Sequence, residues 1–169
     1  MILDRLSYRS IQRLLAVVIA LHNAEEAVTA RAFLPRVGEY VARVPALKDA
    51  TVVPPSLAQL YIALVIVTLV PALLIGWATT GRESGAKREV VAVVAAALMW
   101  NVFLPHLSAM IAFRGYAPGG VTALAVNLPF CVYFFRRSLN EGMLTRGQLT
   151  LAIVLGLFLL ALVPLLLLV

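Results

Sequence analysis

The chain has a single cysteine, Cys131, among 169 residues. Without a second thiol it can build neither an internal disulfide nor a sulfur-rich metal site, and Cys131, set in an apolar run, reads as a packing residue. Charge is scarce too: Asp, Glu, Lys and Arg make up 13% of the chain against 62% hydrophobic residues, where soluble domains are about a quarter charged and about half apolar. That balance points to an integral membrane protein. The alternation expected of membrane β-strands is missing, since "LYIALVIVTLV" and "LGLFLLALVPLLLLV" are apolar on every face. No internal repeat is evident, which argues against the paired inverted halves of many transporters. The formal charge of +6 does not indicate a nucleic-acid partner, because the Lys and Arg fall in short segments between apolar runs, as orientation signals do.

Five apolar runs stand out, at about 11–33, 57–78, 90–113, 120–135 and 148–169. A helix needs about 20 apolar residues to cross the hydrocarbon, and each run is long enough or nearly so. The expected fold is therefore all-α: one polytopic membrane bundle of about five transmembrane helices, forming a single domain over 1–169. The first run, "RLLAVVIAL" followed by "VTA", resembles a signal peptide, but two glutamates just before the cut argue for a span. After it, Val37, Tyr40, Val41, Val44 and Leu47 recur at helical spacing opposite Arg36, Glu39 and Arg43. This predicts a short helix in the outer interface, weakened by Gly38 and Pro45. Nine of the 14 basic residues lie at the N-terminus (Arg5, Arg9, Arg13), between spans 2 and 3, or between spans 4 and 5. By the positive-inside rule, the N-terminus is expected in the cytoplasm and the C-terminus outside the cytoplasmic membrane.

Within the first run, "LHNAEEAVTA" brings His22, Glu25 and Glu26 into what should be its apolar middle. On a helix Glu25 and Glu26 follow His22 at i+3 and i+4, so all three lie near one face. Each charge at mid-membrane costs about 2.5–3.5 kcal/mol by insertion scales, so partners must offset it. A pairing of Glu26 with Arg31, or a solvated helix end, would be the unremarkable explanation. The third run adds Asn101 and His106 in "WNVFLPHLSAM". These are about 140° apart on a regular helix, but Pro105 cannot donate to the carbonyl of Asn101, and the resulting kink can turn both toward one cavity. The fourth run adds Asn127, shortly before Pro129. At 1.5 Å per residue, all of these fall near mid-membrane. Helix–helix hydrogen bonding is the simpler role for His106 and Asn127.

At these residues the chain resembles the HXXEE family of small prokaryotic integral membrane proteins, through His22-Asn23-Ala24-Glu25-Glu26, through Asn101 and His106 with only apolar positions between, and through "YAPGGVTA" with Tyr116, Pro118, Gly119 and Thr122. The resemblance runs from about residue 12 to 137. It sharpens the site and implies no particular activity.

The leading expectation is a membrane-embedded enzyme acting on a lipid or lipid-like small molecule, with one divalent metal, zinc ahead of iron, held by His22, Glu26 and His106. Two imidazoles and a carboxylate are the ligand set of catalytic zinc and of non-haem iron. Glu26 is the expected ligand because i and i+4 side chains nearly stack. Glu25 is then the general base, while Asn101 and Asn127 orient substrate. Tyr116 and Gly119, in the "RGYAPGG" turn, are expected at the outer mouth. The alternatives are metal-free proton transfer on an isoprenoid or sterol-like lipid, a proton-coupled carrier, and a structural or partner-binding protein whose polar cluster fixes packing.

Overall fold

The structure is a computed structural model describing residues 2–43 and 55–163. Among the described residues there are helices and no strands, as the all-α expectation required. The last part of the expected interfacial helix (Val44, Pro45, Leu47) and the end of the fifth run (164–169) lie outside the described residues.

Each long helix starts where a side-chain oxygen can take an orphan backbone N–H. Helix α1 (Tyr8–Phe33) is capped by Ser7, which accepts from the Ser10 amide. A short α2 (Val37–Arg43) follows after a 3-10 turn. Helix α3 (Leu57–Ala78) opens with a capping box of Ser56 and Gln59. Helix α4 (Gly85–Asn101), capped by Ser84, runs through a π-helical turn (Val102–Leu107) into α5 (Ser108–Phe113). After the turn at residues 114–119, α6 (Gly120–Thr122) passes through a second π-helical turn (Ala123–Asn127) into α7 (Leu128–Asn140). Helix α8 (Arg146–Leu162) starts on a capping box of Thr145 and Gln148.

Two of these stretches are long and apolar enough to cross a membrane, Leu57–Ala78 and the continuous Gly85–Phe113; Arg146–Leu162 is apolar but shorter. Five such helices were expected. The first falls short because Arg9, Arg13, Glu25, Glu26 and Arg31 all lie on α1, and the fourth because Arg136 and Arg137 end the apolar part of a 13-residue α7.

Helix α4 is the central element, packed by α1, α3, α7 and α8. Its contact with α8 is unusually close: a methyl group on Gly156 would lie 2.6 Å from Ala96 Cβ and 2.7 Å from the Ala97 backbone nitrogen. Small residues allow such approach between apolar helices, where there is no water to squeeze out. Trp100 adds an indole N–H bond to the Ile153 carbonyl at 3.0 Å. The apolar core combines Ile11, Leu15 and Ile19 of α1 with Val91 and Ala95 of α4 and Cys131 and Phe134 of α7. It fills the half of the bundle nearer the N-terminus of α1.

That end is tied together by cations. Arg9 reaches the Gly81 carbonyl and Glu83, Arg13 the Thr79 hydroxyl and carbonyl, and Arg137 the Leu3 and Leu6 carbonyls. At the opposite end Arg36 and Arg43 lie over the Phe113 ring, and Arg43 donates to the Ala112 carbonyl. The polar cluster lies between the two ends.

Candidate functional site

His22 and His106 are almost wholly buried, at 1% and 3% exposure. Their rings meet edge to face, with centroids 4.6 Å apart and planes at 87°. Glu26, one turn beyond His22 on α1, turns its Oε1 toward both, 3.2 Å from His106 Nε2 and 4.0 Å from His22 Nε2. The donor atoms of His22, Glu26 and His106 all lie within 4.8 Å of one another, close enough to hold a metal ion. No ion pair joins either glutamate to Arg31 among the described residues.

The π turn explains how His106 joins. Pro105 has no N–H, so the bonding steps out by one residue, and the Ser108 amide reaches the Phe103 carbonyl five positions back. Residues five apart then share a face. The Asn101 amide nitrogen lies 2.9 Å from His106 Nε2 and 3.0 Å from His22 Nε2. The expected kink is thus a helix widened by one residue. The second π turn, where the Leu128 amide reaches the Ala123 carbonyl, has the same form.

Hydrogen bonds fix which nitrogen of each imidazole faces the cluster. His106 Nδ1 is 2.8 Å from the Pro118 carbonyl, an acceptor only, so Nδ1 carries the proton. His22 Nδ1 is 2.8 Å from the Thr122 hydroxyl, whose own proton goes to the Gly119 carbonyl at 3.2 Å. His22 Nδ1 is therefore also the donor. Both Nε2 lone pairs point inward.

The turn between α5 and α6 closes over the group. Gly119 has φ of +71°, and a methyl group there would lie 2.7 Å from His106 Cε1 and 2.8 Å from both Glu26 Cγ and His22 Cε1. Only glycine lets the backbone approach three side chains so closely. Gly119 is thus the wall of the group itself, nearer than the outer mouth expected for it.

Glu25 faces the same turn. Its Oε1 accepts from the Tyr116 hydroxyl at 2.8 Å and the Val121 amide at 3.3 Å, and its Oε2 from the Thr122 amide at 2.7 Å. The carboxylate thus caps the start of α6, where amides lack helical partners and the dipole favours negative charge. Tyr116 is 39% exposed, its ring edge-on to Phe33. Desolvation in the turn raises its hydroxyl above the ordinary 10.0, so it stays a donor to Glu25.

Asn127 is fully buried, and among the described residues neither of its amide atoms has a hydrogen-bond partner. Two residues named only as parts of the motifs have roles that sequence reasoning did not assign. Thr122 orients His22 across the bundle, and Asn23, inside the motif, donates to the Thr68 hydroxyl of α3 at 2.7 Å. Their signal was positional, since Asn23 lies about 100° round the helix from His22 and so faces the next neighbour. Beside this pair, an open groove of about 390 Å³ between α1 and α3 is lined by Ala20, Ala24, Tyr61, Leu64 and Leu69 among others.

The fold and site together define an all-helical bundle built around a buried His/Glu group. The chain belongs to the family described as "Protein of unknown function with HXXEE motif", whose model matches residues 13–134 and so includes every residue of the cluster. It is 26% identical over 149 residues, 88% of this chain and 87% of the relative, to "Uncharacterized protein YrkK" of Bacillus subtilis (strain 168). No solved structure matches it.

Proposed function

We propose that this chain is a five-helix integral membrane protein that binds one divalent metal through His22, Glu26 and His106 and acts on a lipid-like substrate. One observation carries the reading: three electron-pair donors, His22 Nε2, His106 Nε2 and Glu26 Oε1, face one another inside a buried cluster. Such a set is unfavourable unless a cation or a shared proton lies within it. The donor chemistry fits zinc first and iron second. The Pro118 carbonyl at His106 Nδ1 fits as well, because metal-bound histidines usually donate their other N–H to a carbonyl, carboxylate or water. When bound, the ion would supply Lewis-acid polarisation of a carbonyl or phosphoryl oxygen.

The chain's own residues do the rest. Glu25 is the candidate base: its Oε1 accepts from Tyr116 and Val121, and its Oε2 accepts only from the Thr122 amide and keeps a lone pair for a proton. Asn127, with an unpaired buried amide, is the candidate for orienting a polar group of the substrate. Tyr116 and Gly119 form the turn that a substrate must pass or displace. The apolar faces that α3 and α8 leave exposed, including Leu73, Trp77, Phe158 and Leu162, suit acyl chains and support the membrane setting in which a lipid-like substrate would reach the site. The basic residues at the end shared by the N-terminus, residues 79–84 and Arg137 support a cytoplasmic location for that end.

A second reading rests on the 3.2 Å approach of Glu26 Oε1 to His106 Nε2. That distance suits a proton passed between the two without metal, on an isoprenoid or sterol-like lipid. Element analysis of protein purified in detergent, never exposed to chelator, separates the readings. Stoichiometric zinc or iron supports the first, and its absence from folded protein transfers the assignment to proton transfer.

A further inference from the structure

We propose that Asn101 is the fourth ligand of this site, coordinating the ion through its side-chain carbonyl oxygen. This rests on the metal reading above and adds a donor that the three-residue group lacks.

The first support is position. The Asn101 amide end lies 3.0 Å from His22 Nε2 and 2.9 Å from His106 Nε2, so it stands on the hemisphere toward which both lone pairs point. An ion held by both imidazoles would have this amide as its next neighbour. The second is shape. With metal–donor bonds of about 2.0–2.1 Å, an ideal tetrahedron sets its donors about 3.3–3.4 Å apart. The separations here are 2.9 and 3.0 Å from Asn101 to the imidazoles, and 3.2 and 4.0 Å from Glu26 to the same two atoms. Three of these four edges lie within about 0.5 Å of the tetrahedral value and the fourth, from Glu26 to His22, about 0.7 Å beyond it, so the main shift that four-coordination needs is of Glu26 toward His22.

The third support is the two-faced chemistry of a primary amide. With the NH2 inward, Asn101 donates one proton to each imidazole lone pair, and only Glu26 Oε1 still calls for a proton or an ion. A half-turn about Cβ–Cγ exchanges NH2 and carbonyl oxygen at almost the same positions. Four acceptors would then face one centre, an arrangement that only a cation stabilises. Asn101 therefore serves both states, and the π turn fixes it in register with His106. The resulting set of two nitrogens and two oxygens, without sulfur, suits borderline and hard divalent ions and disfavours soft ones such as Cu(I). An amide oxygen is also the weakest of the four donors, and the one that a substrate oxygen can replace.

The test is Co(II) and Zn(II) binding to the full-length protein in detergent, by competition with a chromophoric chelator and by the ligand-field spectrum of bound Co(II). If Asn101 is a ligand, Asn101→Ala weakens both ions at least tenfold and shifts the Co(II) bands, while Asn101→Asp, which keeps an oxygen in place, retains binding and a four-coordinate spectrum. If Asn101 merely occupies the two lone pairs as a hydrogen-bond donor, Asn101→Ala frees them and binding tightens or stays the same. That opposite sign, with an unshifted spectrum, overturns the proposal and leaves the three-residue metal centre standing. No Co(II) or Zn(II) bound by wild type overturns both. Should Asn101→Ala fail to fold, Asn101→Asp decides, because loss of Co(II) binding in a folded Asp variant contradicts an oxygen ligand at this position.

Discussion

Gly119→Ala is the substitution on which the geometry makes its sharpest demand. Two costs add. The backbone at Gly119 has φ of +71°, and an L side chain in that left-handed region costs roughly 1–2 kcal/mol. The new methyl carbon would also lie 2.7 Å from His106 Cε1 and 2.8 Å from Glu26 Cγ and His22 Cε1, where carbons prefer about 3.5–4.0 Å. Each neighbour must therefore retreat by about 0.7 Å or more, and overpacking of this kind typically costs about 1–3 kcal/mol. The three atoms sit on two different helix segments, so no single rotation relieves all of them. The structure supplies its own control, because Gly81 has φ of +65° with nothing within 4 Å of its would-be methyl. Gly81→Ala thus reads the backbone strain alone. Thermal unfolding of the two purified variants should show Gly119→Ala less stable than Gly81→Ala by about 1–3 kcal/mol. Metal content should fall only in Gly119→Ala, since a binding constellation tolerates only about 0.5 Å of displacement. Equal destabilisation with equal metal content would refute the closure of the turn over the cluster.

Other outcomes follow from the same contacts. Glu26→Gln removes the negative donor and keeps its shape, so metal content should drop to background while the helical circular-dichroism signal persists. Glu25→Gln should retain the metal and, on the proposed chemistry, lose turnover; loss of the charged acceptor at the start of α6 should cost about 1–3 kcal/mol in an unfolding titration. Equal metal loss in the two Gln variants would defeat this division of labour. Gly156→Ala drives a methyl into the backbone of α4 at Ala96 and Ala97, so it should destabilise the bundle by about 1–3 kcal/mol and leave metal affinity unchanged, which isothermal titration can check.

Much of this was legible in the sequence where the signal is local. The run 57–78 coincides with α3 (Leu57–Ala78) because its apolar residues stop at Ser56 and Thr79, both of which bond to helix-end amides or carbonyls. The i and i+4 spacing of His22 and Glu26 needs only a regular helix, and the structure has them in one group. His106 was harder. Regular geometry turns it away from Asn101, and although Pro105 signalled an irregularity, a kink and a π turn share that signal. The second π turn, before Pro129, was not read at all. What sequence could not show was non-local: Gly119 reaching 97 positions back to His22, the Thr122 hydroxyl holding the same ring, and Asn23 meeting Thr68. Each depends on how α1, α3 and the turn before α6 dock, which spacing along one helix does not encode. Of the five expected spans, two described helices are long and apolar enough to cross a membrane by composition alone, because apolar runs were read without discounting the charges that α1 carries for the cluster.

The central claim is that His22, Glu26 and His106 hold a divalent ion, and X-ray absorption at the metal edge tests it most directly. For protein loaded during expression and purified without chelator, the account predicts a zinc or iron edge with nitrogen and oxygen scatterers at about 2.0–2.2 Å, the outer-shell pattern of two imidazoles, and loss of that pattern in His106→Ala. A sulfur scatterer, a shell of water alone, a spectrum unchanged in His106→Ala, or no edge in folded wild-type protein would contradict it.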